Sequence, residues 1–193
     1  MALVSFASLV AGARSGKLVS FPTDTVPALA VRPDRSADVF QLKQRSQDKP
    51  LILMASNWES FLPFLDTDHP ALSVWQQMAQ QYFAGAVTLV LPASQRGGKL
   101  NQGFKTLGVR IPDNKIAIAI LQQTGAMLTT SANKSNQPPL RKMLEISTSF
   151  PSVNTLGDGI DINELTGSGL PSTVIEWTME GWLVRRQGAV QIG

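Results

Sequence analysis

Residues 16–31 read GKLVSFPTDTVPALAV, and the organisation of the chain can be interpreted outward from this stretch. The segment 18–21 has strand-forming character, and Pro22 ends it because proline has no N–H for a sheet ladder and fixes φ. Thr23, Asp24 and Thr25 come next, and their short polar side chains favour a turn. Two interpretations stay open at this point: an ordinary turn between strands, or a polar site at the end of a buried strand.

The composition predicts a single domain over residues 1–193 that folds alone. Hydrophobic residues make up 43% of the 193 positions, which is enough for a substantial core. The 17 basic and 14 acidic residues leave a net charge of only +3, so any affinity for phosphate has to come from local clustering. The chain has no cysteine, which excludes disulfides, thiolate nucleophiles and cysteine-ligated metals.

The single histidine, His69, lies before a proline and a predicted helix, so serine–histidine triads and histidine metal sites are disfavoured. No protein metal site is predicted. The apolar N-terminus lacks a basic leader and is interpreted as an amphipathic helix that carries Leu3, Phe6 and Leu9 on one face and ends at Gly16, rather than as a signal peptide. No apolar run reaches the length of a membrane span, so a cytoplasmic protein is expected.

Strands and helices alternate along the chain, which predicts a twisted mixed α/β sheet with flanking helices. Strands are predicted over 18–21, 28–31, 51–54, 87–91, 107–111, 126–130, 153–155, 172–176 and 182–185. Beyond the N-terminal helix, further helices are predicted over 36–45, 56–61, 70–83, 114–123 and 140–149. A flexible basic loop is expected over 93–103 because of its arginine, lysine and three glycines.

Three cations, Lys43, Arg45 and Lys49, lie at the end of one predicted helix and in the loop that enters the next strand. Basic residues near a helix C-terminus complement its dipole, and this purely structural interpretation stays open. Lys49 directly precedes a buried strand, however, which favours a fixed position at the end of the sheet over a solvated one.

Further polar side chains stand at the ends of other predicted strands. Arg110 interrupts an apolar strand just before a proline, so it either faces solvent on an edge strand or points into a cleft to clamp an anion. Ser131 and Asn133 follow one strand, and Ser172 and Thr173 begin another after a glycine-rich loop. Because ligands of open α/β sheets bind beyond such strand ends, these residues are candidates for one site.

Eight short motifs occur in an order that resembles the YrdC/TsaC family, the threonylcarbamoyl-AMP synthases, from about residue 17 to residue 190. They are Pro22-Thr23-Asp24-Thr25, Lys43-x-Arg45, Lys49-Pro50-Leu51, Gly85-Ala86-Val87-Thr88, Val109-Arg110-Ile111-Pro112, Thr130-Ser131-Ala132-Asn133, Pro171-Ser172-Thr173-Val174 and Arg186-Gln187-Gly188. Each motif is unspecific alone, but eight in register are not.

The resemblance implies a YrdC-like fold with a basic concave groove and the activity of a nucleotidyltransferase. L-threonine, bicarbonate and ATP would give L-threonylcarbamoyl-AMP and pyrophosphate, and downstream transferase proteins would pass the threonylcarbamoyl group to an adenosine of tRNA. Magnesium would arrive with ATP, held by phosphate oxygens and water. Direct contact with tRNA or double-stranded RNA is a further implied partnership, and no membrane is involved.

The resemblance also assigns roles to residues. It implies that Lys43 and Arg45 are catalytic. It assigns ATP and its phosphates to Lys43, Arg45, Ser131, Asn133 and Arg186. It assigns threonine to Thr23, Thr25, Lys49, Arg110, Ser172 and Thr173.

The chain departs from the family pattern at several positions. Pro27 and Ala28 stand where the family usually has an aromatic residue and a glycine, and alanine is costly there if the backbone needs a positive φ. Ala86 replaces a usual proline, and Asn136 replaces a common glycine. The alternative function is therefore a non-catalytic paralogue that binds double-stranded RNA or tRNA, or that acts in ribosome maturation.

Overall fold

The computed structural model describes residues 3–43, 50–100, 103–135 and 137–192. Its strands are β1 (Leu3–Val4), β2 (Val19–Phe21), β3 (Ala28–Val31), β4 (Ile52–Met54), β5 (Val87–Pro92), β6 (Thr106–Arg110), β7 (Met127–Ser131), β8 (Asn154–Leu156), β9 (Thr173–Thr178) and β10 (Gly181–Arg186). Its α-helices are α1 (Phe6–Arg14), α2 (Ser36–Lys43), α3 (Leu72–Tyr82), α4 (Gln95–Leu100), α5 (Lys115–Thr124) and α6 (Met143–Ser149). Short 3₁₀ turns cover Pro33–Arg35 and Leu62–Phe64.

The ten strands form one mixed sheet in the order β1-β8-β2-β3-β7-β4-β6-β5-β9-β10. The parallel pairs are β1/β8, β2/β8, β4/β6 and β5/β9, and the other neighbours are antiparallel. The predicted fold class, a mixed α/β sheet with flanking helices, is confirmed. The basic character predicted for its groove stays a prediction.

The strands divide their side chains between two hydrophobic clusters. Leu53 and Leu128 enter the cluster that contains Trp75 of α3, whereas the next residue, Met54, packs with Ile120 of α5 in the other cluster. Successive strand residues point to opposite faces, so this alternation means that the sheet is covered on both sides. Because both faces of the sheet are buried, its strands are short apolar runs, which is the pattern predicted from the sequence.

Side-chain caps define the first residues of helices α1 and α5. Asn114 accepts hydrogen bonds from Ile116 N (3.1 Å) and Ala117 N (3.0 Å), which begins α5 where the sequence predicted a cap. Ser5 accepts from Ser8 N at 3.3 Å and begins α1. Leu3 therefore lies outside that helix and pairs with Thr155 in the sheet, so its predicted place on the helix face is wrong.

Four other details predicted from the sequence are wrong. The predicted helix over 56–61 is absent because the Asn57 carboxamide accepts from Ser60 N and Oγ, which makes a turn instead. The predicted loop over 93–103 contains α4, whose first turn is capped when Ser94 Oγ accepts from Gly97 N (3.2 Å). The helix predicted over 36–45 does begin at Ser36, but Ser36 follows the Pro33–Arg35 turn with helical φ and ψ and so is not the predicted cap. Helix α6 begins at Met143 rather than at 140.

Among the described residues, no helix combines the length and the apolar character that crossing a membrane requires.

Candidate active site

A cavity of about 710 Å³ is lined by the turn between β2 and β3, by strands β4 to β7 and by the segment that enters β9. This volume is typical of sites for small molecules and cofactors. Six of the residues predicted for the site line it, namely Thr23, Thr25, Arg110, Ser131, Ser172 and Arg186. Side chains from distant parts of the chain thus converge on one hollow.

Arg110 is the most deeply placed cation of this cavity, with only 4% of the residue exposed. Its Nη2 donates to Asp24 Oδ1 at 2.6 Å, its Nη1 to Thr25 Oγ1 at 2.9 Å and its Nε to the Gly85 carbonyl at 3.0 Å. A guanidinium has five N–H donors in a planar fork, so these three contacts orient it and leave two N–H groups. Arg110 therefore faces inward, which excludes the solvent-facing alternative that the sequence left open.

The turn 23–25 holds its two threonine hydroxyls in place by short contacts. Thr23 Oγ1 donates to the Val26 carbonyl at 2.7 Å and lies 3.1 Å from Thr25 Oγ1. Thr25 N donates to Thr23 Oγ1 at 3.2 Å, a bond typical of polar turns. Both residues are buried, so the turn is a wall of the cavity rather than a solvated loop.

A glycine-containing loop closes over this turn from the other side. Ser168 N donates to the Asp24 carbonyl (2.9 Å) and Gly169 N donates to the Thr25 carbonyl (2.8 Å). Gly167 has φ +67°, and a Cβ there would lie 2.3 Å from the Thr25 carbonyl oxygen. Glycine at 167 is thus required both by its left-handed backbone and by the close approach of the two chains.

Ser172 joins the start of β9 to Arg186 on β10. Its carbonyl accepts from Arg186 Nε (3.2 Å) and Nη2 (2.9 Å), and its hydroxyl lies 2.9 Å from Thr88 Oγ1. A Cβ on Gly188 would lie 2.3 Å from the Pro171 carbonyl oxygen, so only glycine lets the C-terminal segment approach this strand. The segment after β10 is therefore part of the wall of the site.

The two arginines of the cavity are close enough to influence one another. Burial lowers the pKa of Arg186, and the positive charge of Arg110 lowers it further. Burial also lowers the pKa of Arg110, while the Asp24 carboxylate opposes that effect by charge and by hydrogen bonding. One carboxylate thus accompanies two guanidinium groups, and a bound anion would relieve the remaining repulsion.

Lys43, at the end of α2, reaches across to the exit of β7. Its Nζ donates to the Ser131 carbonyl (2.7 Å), to Asn133 Oδ1 (2.9 Å) and to Thr130 Oγ1 (3.3 Å). Ser131 Oγ also donates to Asn133 Oδ1 at 2.6 Å. Lys43 is buried, and Ser131 and Thr130 line the cavity, so its charge lies directly behind the cavity wall.

The remaining predicted residues are placed as follows. Thr173 does not line the cavity, because its hydroxyl donates to the Val190 carbonyl (2.6 Å) and accepts from Gly188 N (3.0 Å). Asn133 adjoins the cavity through Ser131 and Lys43. Arg45 and Lys49 lie outside the described residues, as does Asn136, and the roles given to all of these residues stay predictions.

Asp24 and Thr88 are among the polar residues of the site that were not assigned a role from the sequence. Asp24 is the ion-pair partner of Arg110, and Thr88 contacts Ser172 within the cavity. Both residues belong to motifs of the family resemblance, so the sequence does draw attention to them. The motifs do not reveal the contact partners, because each partner is more than 80 residues away in the chain.

The departure at Pro27 and Ala28 changes the cavity wall and not the backbone. Ala28 begins β3 and pairs with Phe21 on one side and Ser131 on the other, so its backbone is extended and needs no positive φ. Both residues line the cavity. The expected strain at Ala28 is therefore absent, and the change acts on pocket shape.

Within the described residues, no group of three or more histidine, cysteine, aspartate or glutamate side chains is arranged to hold a metal ion. The polar side chains that line the cavity carry hydroxyl and guanidinium groups, which suit anionic organic ligands better than a resident metal.

Comparison with known proteins places these features in a family. A family model for Sua5, YciO and YrdC proteins, described as telomere recombination, matches residues 12–188. The threonylcarbamoyl-AMP synthase of Escherichia coli K12 is 31% identical over 175 residues, which cover 88% of this chain and 89% of that protein. A similarly named protein of Shigella flexneri is 34% identical over 139 residues, covering 69% of this chain and 73% of that protein.

Solved structures agree with this sequence comparison. The crystal structure of P. abyssi Sua5 complexed with L-threonine matches with a TM-score of 0.83 and 27% identity over 95% of this chain. The match covers 54% of the Sua5 chain, so the present chain spans about half the length of that relative. Escherichia coli YciO matches with a TM-score of 0.78 and 23% identity over 96% of this chain and 90% of YciO, and shows the shared fold.

Proposed function

The chain belongs to the Sua5/YciO/YrdC family, and on that premise we propose that it is an L-threonylcarbamoyl-AMP synthase, a nucleotidyltransferase acting on L-threonine, bicarbonate and ATP. The observation that carries the proposal is the convergence of hydroxyl and guanidinium groups on one 710 Å³ cavity, with the Lys43 ammonium behind its wall. The names of the Escherichia coli relatives and the threonine complex of Sua5 support it.

The reaction balances without a protein nucleophile. The threonine amine and bicarbonate form a carbamate and release water; a carbamate oxygen then bonds to the α-phosphorus of ATP. The bond from that phosphorus to the bridging oxygen of the β-phosphate breaks, and pyrophosphate leaves with the electron pair. What the protein has to supply is proximity between anions that repel one another, and fixed positive charge near the phosphates.

The residues of the cavity divide into two walls that suit two substrates. Arg110, Thr23 and Thr25 form a buried cation next to two hydroxyls, which fits the carboxylate and hydroxyl of threonine. On the other wall, Ser131 with Lys43 behind it fits the phosphates of ATP, which would bring a magnesium ion with them. Arg186 stands beside Ser172 as a further anion contact.

Pyrophosphate release is the measurement that tests this proposal. We expect release only when ATP, threonine and bicarbonate are all present, together with a product of the mass of threonylcarbamoyl-AMP. Serine and valine are the matched amino acids, since each lacks one group of the threonine side chain. Pyrophosphate release that does not depend on threonine or on bicarbonate would contradict the proposal.

The RNA-binding alternative makes a different prediction in the same assay. A non-catalytic paralogue would release no pyrophosphate and would bind tRNA or double-stranded RNA with an affinity that falls steeply with salt.

Transfer of the threonylcarbamoyl group to tRNA by downstream proteins belongs to the proposed synthase function. It is tested by adding those proteins and tRNA to the synthase reaction.

Replacing Ala28 by glycine tests whether the altered wall sets substrate preference. We expect the KM for threonine to change severalfold, because Ala28 lines the cavity, while kcat stays within about twofold and stability falls by about 1 kcal/mol. Ala30→Gly is the matched control, since Ala30 is buried in the same strand but does not line the cavity. Equal effects of both variants on KM would show that strand stability, and not pocket shape, is responsible.

A further inference from the structure

A second cavity, of about 470 Å³, lies apart from the first and shares no lining residue with it. It is formed where the ends of α1 and α5 meet the segment after β3 and the helix α4. Its lining includes Arg14, Arg32, Asp34, Phe64, Arg96 and Leu100. Three arginines and one aspartate therefore line a single cavity that the proposed reaction does not use.

Two of these charged side chains neutralise each other. Arg32 holds Asp34 in a two-pronged contact, with Nε to Oδ1 at 3.0 Å and Nη2 to Oδ2 at 2.6 Å. The hydrogen bond from Arg32 lowers the pKa of Asp34, so the carboxylate stays ionised and both of its oxygens are engaged. Arg32 also donates from Nη1 to the Arg14 carbonyl at 2.8 Å, which ties the end of α1 to this pair.

The charges of Arg14 and Arg96 have no such compensation. Within the described ranges, neither residue has an ion-pair partner. Arg14 donates only its Nε, to the Gln123 carbonyl at 2.8 Å, so its Nη groups stay available to a ligand. The Arg96 guanidinium lies over the Phe64 ring, 4.7 Å from its centroid, and this contact restrains the side chain without consuming its N–H donors.

This arrangement is pre-organised for a small anion. A backbone carbonyl holds one guanidinium and an aromatic ring holds the other, so less side-chain entropy is lost when a ligand binds. Phe64 and Leu100 add an apolar wall that an inorganic surface ion would not need. A polyanion such as RNA is less well suited, because the net charge of the whole chain is only +3 and gives a weak long-range field.

From these observations we propose that the Arg14/Arg96 cavity is a second anion site, which binds the phosphate end of a small phosphorylated ligand at a position separate from the main cavity. Arg14 and Arg96 supply the charge, and the Arg32–Asp34 pair keeps the end of α1 in position. The proposal is independent of the synthase activity, since neither residue lines the main cavity.

Titration with inorganic phosphate and pyrophosphate, followed by amide NMR shifts, tests the site. We use the Lys43→Met background, in which we expect weaker phosphate binding at the main cavity. The signals of Leu100 and Thr124, which line the second cavity, and of the neighbouring Gly125 report on that cavity. We expect saturable shifts of these signals. In Arg14→Gln and in Arg96→Leu the dissociation constant should rise about tenfold or more, which is the effect of losing one charge-assisted contact. Arg96→Leu retains an apolar stem over Phe64, and circular dichroism checks the fold of each variant.

Arg185→Gln is the matched control, because it removes one exposed positive charge on β10, far along the sheet from β3. Shifts that do not saturate, or that weaken equally in Arg185→Gln, would overturn the proposal in favour of non-specific attraction. Shifts that appear with tRNA but not with phosphate or pyrophosphate would overturn it in favour of an RNA surface.

Discussion

Alanine in place of Arg110 is expected to remove threonine-dependent pyrophosphate release and to lower the free energy of unfolding by about 3–5 kcal/mol. Arg110 is buried, and the side chain of Asp24, its ion-pair partner at 2.6 Å, is only 15% exposed. The substitution would leave that carboxylate uncompensated and would release Thr25 Oγ1 and the Gly85 carbonyl. The measurements are denaturant unfolding and the pyrophosphate assay.

A second variant separates the structural effect of Arg110 from its effect on the reaction. In Arg110→Met/Asp24→Leu both charges are removed, so we expect much of the lost stability to return, as is usual when a buried pair is replaced by apolar residues. Activity should stay absent, because no cation then faces the substrate carboxylate. Recovery of activity in the double variant would contradict the role proposed for Arg110.

Arg185→Ala serves as the surface control for this experiment. The Arg185 side chain is 53% exposed and pairs with Glu176 on the neighbouring strand. Exposed pairs contribute about 0–1 kcal/mol, so we expect little change in stability and none in turnover. A loss comparable to that of Arg110→Ala would mean that total charge, and not the buried network, governs both properties.

Lys43→Met is the substitution with the second largest expected effect, a loss of about 10²–10³-fold in kcat for pyrophosphate release. The Lys43 ammonium is the cation nearest the Ser131 wall among the described residues, at 2.7 Å from the Ser131 carbonyl. Methionine keeps the length of the side chain but removes the charged donor from that carbonyl and from Asn133 Oδ1, which keep only Asn133 N and Ser131 Oγ as donors. A stability cost of about 1–3 kcal/mol is therefore also expected.

The comparison of Lys43→Met with Asn133→Ala shows whether the two side chains act as a unit. They share a hydrogen bond of 2.9 Å, so the loss of kcat in the double variant, expressed as free energy, should be smaller than the sum of the two single losses. Lys115→Met is the matched control, because Lys115 is an exposed lysine at the start of α5. Full additivity, or a kcat for Lys43→Met near that of the control, would contradict the proposed role of the ammonium.

The sequence alone was sufficient for the fold class and for the location of most strands. Apolar runs such as those of β5 and β7, and breakers such as Pro22, act through short-range sterics and side-chain burial, which a local pattern records. Local reasoning failed at α4, since two glycines concealed a helix that the Ser94 cap begins. It also failed at Leu3, where pairing with β8 overrides helical periodicity.

For the site, the sequence determined which residue types stand at the strand ends, but only the tertiary structure decided which of them meet. Asp24 and Arg110 are 86 positions apart, and Lys43 and Asn133 are 90 apart. Such contacts depend on the order in which ten strands join one sheet, and that order follows from the burial of both faces together. Strand-end chemistry is local, whereas the pairing of charges across the cavity is a property of the whole packed sheet.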